Sequence, residues 1–421
     1  MDDQERVIRI TAPAGGLSGQ IDLPSSKSIS NRALIINALA YSPYAIQNLS
    51  DSDDTRVMAA ILRSSDAAFD VGHAGTAMRF LTAFLARTAG IWDITGSQRM
   101  QQRPIGLLVE ALRQLGAQIE YTRKEGFPPL KIYGTHLRGG LLEMDGSISS
   151  QYISALLMVA PTLDGGLTLR LKNRITSRSY ITMTLKLLEQ AGIRSFMKNN
   201  EIRIPEQPFL PCRFMVEADW SAASYWYALL TLAGTGEIRL ENLRRSGLQG
   251  DETIARWFEA FGIATREDGE ALVITRHQKI SPSRLDLRFH ENPDVGQTMA
   301  ALCVGLGVPF HFFGLETLRI KETDRIAALQ HELARFGAMV TEPAPGELLW
   351  DGRRTAALEQ NPPVIQTYDD HRMAMAFAPL ALITRELLIS NPEVVTKSYP
   401  RFWDDLRKVG FLVEEQQPRE E

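Results

Sequence analysis

The chain has 421 residues, which is more than a single hydrophobic core usually serves, so two or more domains are expected. Its composition, 44% apolar and 23% charged, is that of an ordinary globular protein and excludes the disordered and fibrous classes. The formal net charge of -4 excludes a global attraction to nucleic acid or to an anionic membrane, so an anion-binding site has to be a local cluster.

The sequence has no features of a secreted or membrane-spanning protein. Residues Met1 to Arg6 are acidic and polar, unlike a secretory signal. The most apolar runs, near Ala301 and Ala374, extend about ten to twelve residues, well short of a bilayer span. Cys212 and Cys303 stand alone, in a Pro-rich connection and an apolar run, and favour neither a disulfide framework nor a metal site. A cytoplasmic protein is expected, with no nucleic-acid or membrane partner.

Six helices that are apolar on nearly every side are predicted along the chain. Each has a small, polar or charged start, and in chain order these starts lie near Ser28, Gly75, Ser149, Asp219, Asp294 and Asp370. A helix that is apolar all round is expected to be buried, and a polar start indicates that its N-terminus reaches water. Such N-termini carry unsatisfied amides and the positive end of the helix dipole, so we expect bound anions there.

An amphipathic helix with a glycine and a β-prone segment after it is predicted downstream of each buried helix. In the five clear copies the glycine stands where a helix C-cap needs a left-handed residue: Gly116, Gly192, Gly262, Gly337 and Gly410. A weaker sixth copy precedes Gly72. The later units repeat at roughly 70 to 75 residues and the first is shorter by about 25, so an element is expected to be missing between Arg63 and Gly72. The pattern predicts six α/β units in two domains of three.

The helix starts of the N-terminal half carry basic side chains and hydroxyls. Lys27, Ser28 and Arg32 fall within a turn or two of one another in LPSSKSISNR, a combination that suits a phosphate, although the glycine spacing of a nucleotide-binding loop is absent. Gly75 permits close approach of the backbone to a ligand, and Arg103 can reach the same place. The alternatives are a solvated basic turn and a tight packing turn.

Neutral donors follow in the third unit. Ser149, Ser150 and Gln151 open its buried helix, and Ser177 and Tyr180 come later in the same unit. Hydroxyls and amides of this kind usually orient the hydroxyl and phosphate groups of a ligand and do not perform chemistry themselves. Capping alone explains one of the serines and leaves the others for a ligand.

The C-terminal half combines acids with cationic side chains. The segments RIKETDR and YDDHR and two single residues supply Lys321, Glu322, Asp324, Arg325, Asp369, Asp370, His371, Arg372, Asp294 and Lys397. Acids and bases beside guanidinium groups suit proton transfer on an anionic substrate. An exposed helix start with local ion pairs is the other interpretation of KETDR.

These residues stand in segments that resemble the 5-enolpyruvylshikimate-3-phosphate synthase family, in order from Leu23 to about Lys408. The segments are LPSSKSISNRA, LSDSDDT, HAGTAMR, QRPIG, SSQYISALLM, ADWSAASY, RIKETDRI, TYDDHRMAMA and VTKSYPRFW. The resemblance implies an α/β fold of two domains, each of three βαβαββ repeat units, with the active site in the interdomain cleft. It places one domain at 1–20 plus 218–421 and the other, with the abbreviated unit, at 21–217.

The resemblance also implies an activity in the shikimate pathway of aromatic amino acid biosynthesis. The enolpyruvyl group of phosphoenolpyruvate would be transferred to the 5-hydroxyl of shikimate 3-phosphate by addition and elimination, with release of phosphate. No metal or organic cofactor is implied, and a monomer is expected. Two alternatives stay open: a UDP-N-acetylglucosamine enolpyruvyl transferase, whose loop cysteine neither Cys212 nor Cys303 matches, and a non-catalytic anion-binding protein of the same fold.

Residue roles implied by the resemblance follow position by position. The shikimate 3-phosphate set is Lys27, Ser28, Arg32, Ser149, Ser150, Gln151, Ser177, Asp294 and Lys321, with Tyr180 as an accessory. The phosphoenolpyruvate set is Lys27, Gly75, Arg103, Gln151, Arg325, Arg372 and Lys397. Asp294 is expected to accept the hydroxyl proton, Glu322 to shuttle a proton at the methylene carbon, and Lys27 to protonate or stabilise the leaving phosphate. The division between Lys27 and Glu322 stays open.

Three residues depart from the family pattern. Ser25 replaces a glycine, His73 an asparagine, and Phe80 the proline that usually follows the arginine of that helix. Together with the abbreviated first unit, Phe80 is expected to alter the position of Gly75 against phosphoenolpyruvate. The sequence therefore does not predict the affinity for that substrate or for the herbicide glyphosate, which occupies its site in this family.

Overall fold

The computed structural model describes residues 6–147, 149–355 and 362–416. The chain divides into two compact units: a terminal unit of Met1–Pro24 and Ala218–Glu421, and a central unit of Ser25–Glu217. The domain bounds expected from the sequence are 1–20 plus 218–421 and 21–217, and these bounds stay a prediction.

The helices and strands alternate along the chain in both units. In the described residues the α-helices are α1 Lys27–Leu39, α2 Asp53–Arg63, α3 Gly75–Arg87, α4 Gly106–Gln114, α5 Ser150–Val159, α6 Arg178–Gln190, α7 Trp220–Ala233, α8 Ile254–Glu259, α9 Gly296–Leu306, α10 Arg325–Ala334, α11 His371–Phe377, α12 Ala381–Thr384 and α13 Phe402–Lys408. Within the same ranges the β-strands are β1 Val7–Thr11, β2 Leu17–Asp22, β3 Ala68–Asp70, β4 Gly90–Thr95, β5 Gln118–Tyr121, β6 Leu130–Gly134, β7 Arg138–Asp145, β8 Asp164–Lys172, β9 Phe196–Lys198, β10 Glu201–Ile204, β11 Gly236–Glu241, β12 Ile263–Asp268, β13 Ala271–Arg276, β14 Leu285–Arg288, β15 Phe310–Phe313, β16 Leu348–Trp350, β17 Val364–Ile365, β18 Glu386–Ser390 and β19 Leu412–Gln416.

The six helices predicted to be buried are α1, α3 and α5 in the central unit and α7, α9 and α11 in the terminal unit. Every residue of α7 from Trp220 to Thr231 is buried, because the helix has apolar side chains on all sides. Polar residues cap several of these helices: Asp219 accepts a hydrogen bond from the Ala222 amide and Asp370 accepts one from the Arg372 amide. The predicted buried helices with polar starts are thus confirmed.

The predicted glycine stops are also confirmed. The five glycines that follow the amphipathic helices α4, α6, α8, α10 and α13 have φ angles from 75° to 97°, a region that glycine enters without the steric cost of a Cβ atom. One predicted start is displaced: α9 begins at Gly296, and Asp294 lies in a preceding 3-10 turn, Pro293–Val295. Proline is well suited to such a first turn because it has no amide hydrogen to leave unpaired.

The sheets follow the repeat and locate the missing element. In the described residues the terminal unit contains the sheets β17-β18-β1-β19, β12-β13-β11-β2 and β14-β15-β16, and the central unit contains β3-β4-β6-β5 and β7-β8-β10-β9. Helices α4 and α6 are each followed by an antiparallel pair, β5 with β6 and β9 with β10. Helix α2 is followed only by β3, which pairs with β4. The element absent from the abbreviated unit is therefore a β-hairpin.

The buried helices of each unit pack against one another. In the central unit α3 contacts both α1 and α5, and in the terminal unit α9 contacts both α7 and α11. In the described ranges, no helix is both long enough and apolar enough to cross a membrane. The mixed α/β architecture that the sequence predicted is confirmed, and each unit has one set of adjoining helix starts.

Candidate active site

The starts of α3 and α5 adjoin in the central unit. The Gln151 side chain donates to Thr76 Oγ1 at 3.1 Å, which joins the second residues of the two helices. The Tyr152 hydroxyl donates to the Pro104 carbonyl at 2.5 Å and fixes the segment that carries Arg103. Ser149 caps α5 by accepting from the Gln151 amide at 3.3 Å, and Ser150 is partly exposed beside it.

Arg103 lies against the N-terminus of α3. A Cβ atom added to Gly75 would stand 2.6 Å from Arg103 Nη1, so the glycine is what allows the guanidinium to come this close. Arg103 is only 8% exposed, and in the part of the chain that the structure describes its guanidinium has no hydrogen bond or ion pair. A buried cation without a counterion, next to unsatisfied helix amides, is an arrangement that favours a bound anion.

Lys27 and Arg32 occupy one helix, α1, in different surroundings. The Lys27 ammonium lies 3.7 Å from Asp54, a carboxylate that is almost fully buried. Arg32 is 2% exposed and donates to Thr184 Oγ1, Ser154 Oγ and the Ser28 carbonyl at 2.8 to 2.9 Å. Burial lowers the pKa of Arg32 to about 10.

Two aromatic rings flank the Arg32 guanidinium. Its central carbon lies 5.2 Å from the centre of the Phe80 ring and 5.6 Å from that of Tyr180, distances at which a cation is attracted to the ring face. Phe80, one of the departures from the family pattern, thus has a packing role beneath Arg32. Ser177, three residues before Tyr180, occupies the N-cap position of α6 with a left-handed backbone, φ 54°, and its side chain makes no capping hydrogen bond. Arg32 is the least accessible of the cations predicted to bind substrate in the central unit.

In the terminal unit Asp294 lies at the centre of three cations. Its carboxylate is 3.2 Å from Arg325 Nη1, 3.2 Å from Arg372 Nη2 and 3.5 Å from Lys321 Nζ. Arg372 also donates to the Asp294 carbonyl at 3.1 Å, which joins the starts of α9 and α11. The structure therefore brings together residues from three separate parts of the chain: Asp294, the segment that holds Lys321 and Arg325, and Arg372.

Arg325 links this centre to two further carboxylates. It is 2% exposed and donates to Asp370 at 2.6 Å and to Glu322 at 2.8 Å. Burial by itself lowers the pKa of Arg325, but the charges of Asp370, Glu322 and Asp294 outweigh it and hold that pKa above its ordinary value. The other oxygen of Glu322 lies 3.2 Å from Lys397 Nζ. Arg325 thus stays cationic. The ion-pair cluster around it consists of Asp294, Lys321, Glu322, Asp370, Arg372 and Lys397.

For Lys321, unlike Arg325, the effect of burial on the pKa outweighs that of the neighbouring carboxylates. Burial lowers its pKa below the ordinary value, and the nearby Asp294 charge opposes this only in part. An anion bound beside Lys321 would therefore stabilise its charged form. Groups of three or more His, Cys, Asp or Glu side chains arranged to hold a metal ion are absent from the described residues.

The comparisons with known proteins decide the family. The family model described as EPSP synthase (3-phosphoshikimate 1-carboxyvinyltransferase) matches residues 11–68 and 63–406. The chain belongs to this family. A 3-phosphoshikimate 1-carboxyvinyltransferase of Bacteroides fragilis is 49% identical over 403 residues, which cover 96% of this chain and 97% of that protein. One from Vibrio cholerae is 38% identical over 423 residues, covering 94% and 97%.

A solved structure of EPSP synthase from Acinetobacter baumannii matches with a TM-score of 0.76 at 20% identity, covering 98% of this chain and 100% of that one. At this identity the match shows the shared fold. The family resemblance inferred from the motifs is confirmed by these findings, and they favour it over the UDP-sugar alternative. The individual residue roles stay predictions.

In this member of the EPSP synthase family, several partners of the predicted residues were not predicted from the sequence. Asp251, which is buried, accepts a hydrogen bond from Ser221 Oγ and lies 3.2 Å from Asn292 Nδ2. Ser221 is itself 3.5 Å from Arg372 Nη2. Ser221 stands in the recognised segment ADWSAASY and could have been selected, whereas Asp251 lies in no recognised segment and is brought in by the fold alone.

Tyr225 and Asp54 were missed for a different reason. Both stand in segments that carry the resemblance, LSDSDDT and ADWSAASY, but neither segment by itself shows which cation the side chain meets. The Tyr225 hydroxyl is 3.5 Å from Arg372 Nη1, and burial raises its pKa to about 12, so it stays a neutral hydroxyl. Asp54 is the counterion of Lys27.

Proposed function

We propose that the chain is a 3-phosphoshikimate 1-carboxyvinyltransferase, which transfers the enolpyruvyl group of phosphoenolpyruvate to the 5-hydroxyl of shikimate 3-phosphate and releases phosphate. The observation that carries the proposal is the ion-pair cluster of the terminal unit, in which Asp294 and Glu322 are both held by Arg325. Two carboxylates held among cations suit proton transfer on a substrate that carries phosphate and carboxylate groups.

Cationic side chains supply the anion-binding part of the function. The residues assigned to phosphoenolpyruvate are Arg325, Arg372 and Lys397 in the terminal unit and Lys27, Gly75, Arg103 and Gln151 in the central unit. Guanidinium groups pair with carboxylate and phosphate in two-point fashion, which fixes the plane of the bound group. Arg103 has no counterion among the described residues, so a bound anion removes the cost of an uncompensated buried cation and favours the substrate over water.

Shikimate 3-phosphate is assigned to the hydroxyl and amide donors of the central unit and to Asp294 and Lys321. The donors are Ser28, Ser149, Ser150, Gln151 and Ser177, with Lys27 and Arg32 as the cations and Tyr180 as an accessory. Because Arg32 is buried and already bonded to Thr184 and Ser154, it supports the phosphate site chiefly through its charge.

The proposed chemistry is an addition followed by an elimination, each with proton transfer. In the addition, the 5-hydroxyl oxygen bonds to C2 of phosphoenolpyruvate, its proton passes to Asp294, and Glu322 supplies a proton to the methylene carbon. In the elimination, that carbon returns a proton to Glu322, the C2–O bond to phosphate breaks, and Lys27 protonates or stabilises the departing phosphate. Holding both substrates against these groups supplies much of the rate enhancement, because the addition becomes effectively unimolecular.

Phosphate release by the purified protein tests the proposal. Phosphoenolpyruvate is supplied with shikimate 3-phosphate, with UDP-N-acetylglucosamine, or with no acceptor. Release only with shikimate 3-phosphate is the expected result. Release with the UDP-sugar would move the activity to the sister transferase, and absence of release with both acceptors would favour a non-catalytic anion-binding protein.

We further infer that the protein acts as a cytoplasmic monomer without a nucleic-acid or membrane partner and without a cofactor. The unbridged Cys212 and Cys303 are consistent with a reducing compartment. The net charge of -4 gives no general attraction to polyanions. Sedimentation at several protein concentrations tests the monomer, since a mass of 47.0 kDa is expected throughout.

A further inference from the structure

Glu332 is a fully buried acid that lies outside the site described above. It stands on α10, seven residues after Arg325, so the two side chains share one face of the helix two turns apart. Its exposure is 0%, and Arg335 Nε lies 2.8 Å from its Oε2. A buried carboxylate needs such a partner, and Arg335 by itself supplies the opposite charge.

Glu332 has two more partners, and both belong to the segment that precedes α11. The Tyr368 hydroxyl donates to Glu332 Oε1 at 2.7 Å, and the Gln366 backbone amide donates to Oε2 at 3.3 Å. Two residues after Tyr368, Asp370 accepts from Arg325. One face of α10 therefore holds the segment 366–370 at two points, through a carboxylate at one end and a guanidinium at the other.

The segment held in this way has an unfavourable backbone. Tyr368 and Asp369 both have φ of 54°, the left-handed region that non-glycine residues enter at a steric cost, and the cost is greater for a bulky side chain such as tyrosine. Such a conformation persists only where surrounding contacts impose it. Asp370 follows directly, accepts the Arg372 amide at 2.8 Å, and starts α11.

We propose that Glu332 is a positioning residue for phosphoenolpyruvate binding: through Tyr368 and Gln366 it holds the left-handed turn that sets the place of Arg372. The inference rests on the proposed function for the identity of the ligand. Without the hydrogen bond from Tyr368, the turn relaxes toward ordinary backbone angles. Asp370 and Arg372, which directly follow the turn, then move relative to Asp294.

Two conservative substitutions distinguish a local effect on the turn from a loss of folding. Tyr368→Phe removes one hydroxyl and leaves Glu332 with Arg335 and the Gln366 amide, so its charge remains compensated. Glu332→Gln keeps an oxygen that can accept from Tyr368 but removes the charge that strengthens this hydrogen bond. A change confined to the turn is expected to weaken binding of phosphoenolpyruvate, to which Arg372 is assigned. Binding of shikimate 3-phosphate, which is assigned mainly to the central unit, is expected to be unaffected.

The test measures the Kd of phosphoenolpyruvate by titration, together with both KM values and kcat, for Tyr368→Phe, Glu332→Gln and the double variant. Tyr368→Phe is expected to weaken phosphoenolpyruvate binding by about tenfold, the scale of one hydrogen bond to a charged group. The KM for shikimate 3-phosphate is expected to stay within about twofold. Because both changes act on one contact, the double variant is expected to be no weaker than the weaker single variant.

Tyr227→Phe is the matched control, since it removes the hydroxyl of another tyrosine of the terminal unit, bonded to Thr265 Oγ1 at 2.9 Å. An unchanged Kd in Tyr368→Phe, or an equal rise in the constants of both substrates, would overturn the proposal. Additive losses in the double variant would overturn it as well. If the parent protein binds phosphoenolpyruvate but turns over no acceptor, the proposed function fails while the Kd ratio still decides the role of Glu332.

Discussion

The Lys397 ammonium lies 3.2 Å from one oxygen of Glu322, and the other oxygen accepts from Arg325 at 2.8 Å. This places Glu322 between two cations that are assigned to phosphoenolpyruvate. Glu322→Gln keeps the size and most of the contacts but cannot carry a proton. We expect kcat to fall by about 10²- to 10⁴-fold while both substrates still bind. Steady-state kinetics and titration of each ligand check this.

The control for Glu322→Gln is Glu347→Gln, at a partly buried glutamate of the same unit that pairs with His311. It is expected to leave kcat unchanged. Normal turnover in Glu322→Gln would remove the proton shuttle from the mechanism.

Arg103→Met is expected to make the folded protein more stable and to weaken its binding of phosphoenolpyruvate. The substitution removes a buried cation that has no counterion in the described residues and retains an unbranched apolar side chain. Relief of the buried charge stabilises the folded state by about 1 to 3 kcal/mol, whereas loss of the anion contact weakens phosphoenolpyruvate binding by about 100-fold or more. Urea denaturation and ligand titration measure the two effects separately.

Arg113→Met, at a more accessible arginine that bonds to the Ile119 carbonyl, is the control for Arg103→Met. It is expected to leave the Kd of phosphoenolpyruvate unchanged. A less stable Arg103→Met protein with normal binding would contradict the assignment of Arg103 to the anion site.

Gly75→Ala tests the close approach at the start of α3. The new methyl carbon would lie 2.6 Å from Arg103 Nη1, so the guanidinium has to move. We expect the KM for phosphoenolpyruvate to rise by about tenfold or more, on the scale of one displaced charged contact. Alanine favours the helix over glycine by roughly 0.5 to 1 kcal/mol, so stability is not expected to fall.

Gly106→Ala is the comparison for Gly75→Ala, because Gly106 also opens a helix but its added Cβ would meet its nearest neighbour at 3.2 Å. Both KM values should stay near those of the parent protein. Equal effects of the two substitutions on the KM for phosphoenolpyruvate would show that the Arg103 contact is not the cause.

Asp251→Asn is expected to change how stability depends on pH. The pKa of Asp251 is raised from 3.8 to about 6, because burial and the nearby Asp294 charge outweigh the hydrogen bonds from Ser221 and Asn292 and the charge of Arg372. Between these values the folded protein binds more protons at Asp251 than the unfolded chain does. The contribution of Asp251 to stability is therefore present at low pH and is lost as the pH rises through this window.

The shift from 3.8 to about 6 corresponds to about 3 kcal/mol in the difference between the two proteins. Relative to wild type, Asp251→Asn should gain up to that amount in free energy of unfolding as the pH rises from about 4 to 6. Urea denaturation across this range measures it, with Asp286→Asn at an exposed aspartate as control. A difference that is flat with pH would refute the prediction.

Local pattern was sufficient to predict the elements of this protein. The buried helices, their polar starts and the left-handed glycines after the amphipathic helices each depend on a few neighbouring residues, so they could be located in the sequence. The short first unit was visible as a missing length between Arg63 and Gly72. That the missing element is a β-hairpin became clear only when the strands of the other units were paired.

The sequence by itself determined the repeat, the α/β class, the family and the residue types that a site for phosphorylated substrates needs. Only the tertiary structure decided which charges meet: that Asp294 is shared by Lys321, Arg325 and Arg372, and that Arg103 has no counterion in the described ranges. Helix and turn signals act over a few residues, whereas ion pairing depends on distances of a few ångströms between segments far apart in sequence. Those distances are fixed only when the buried helices pack.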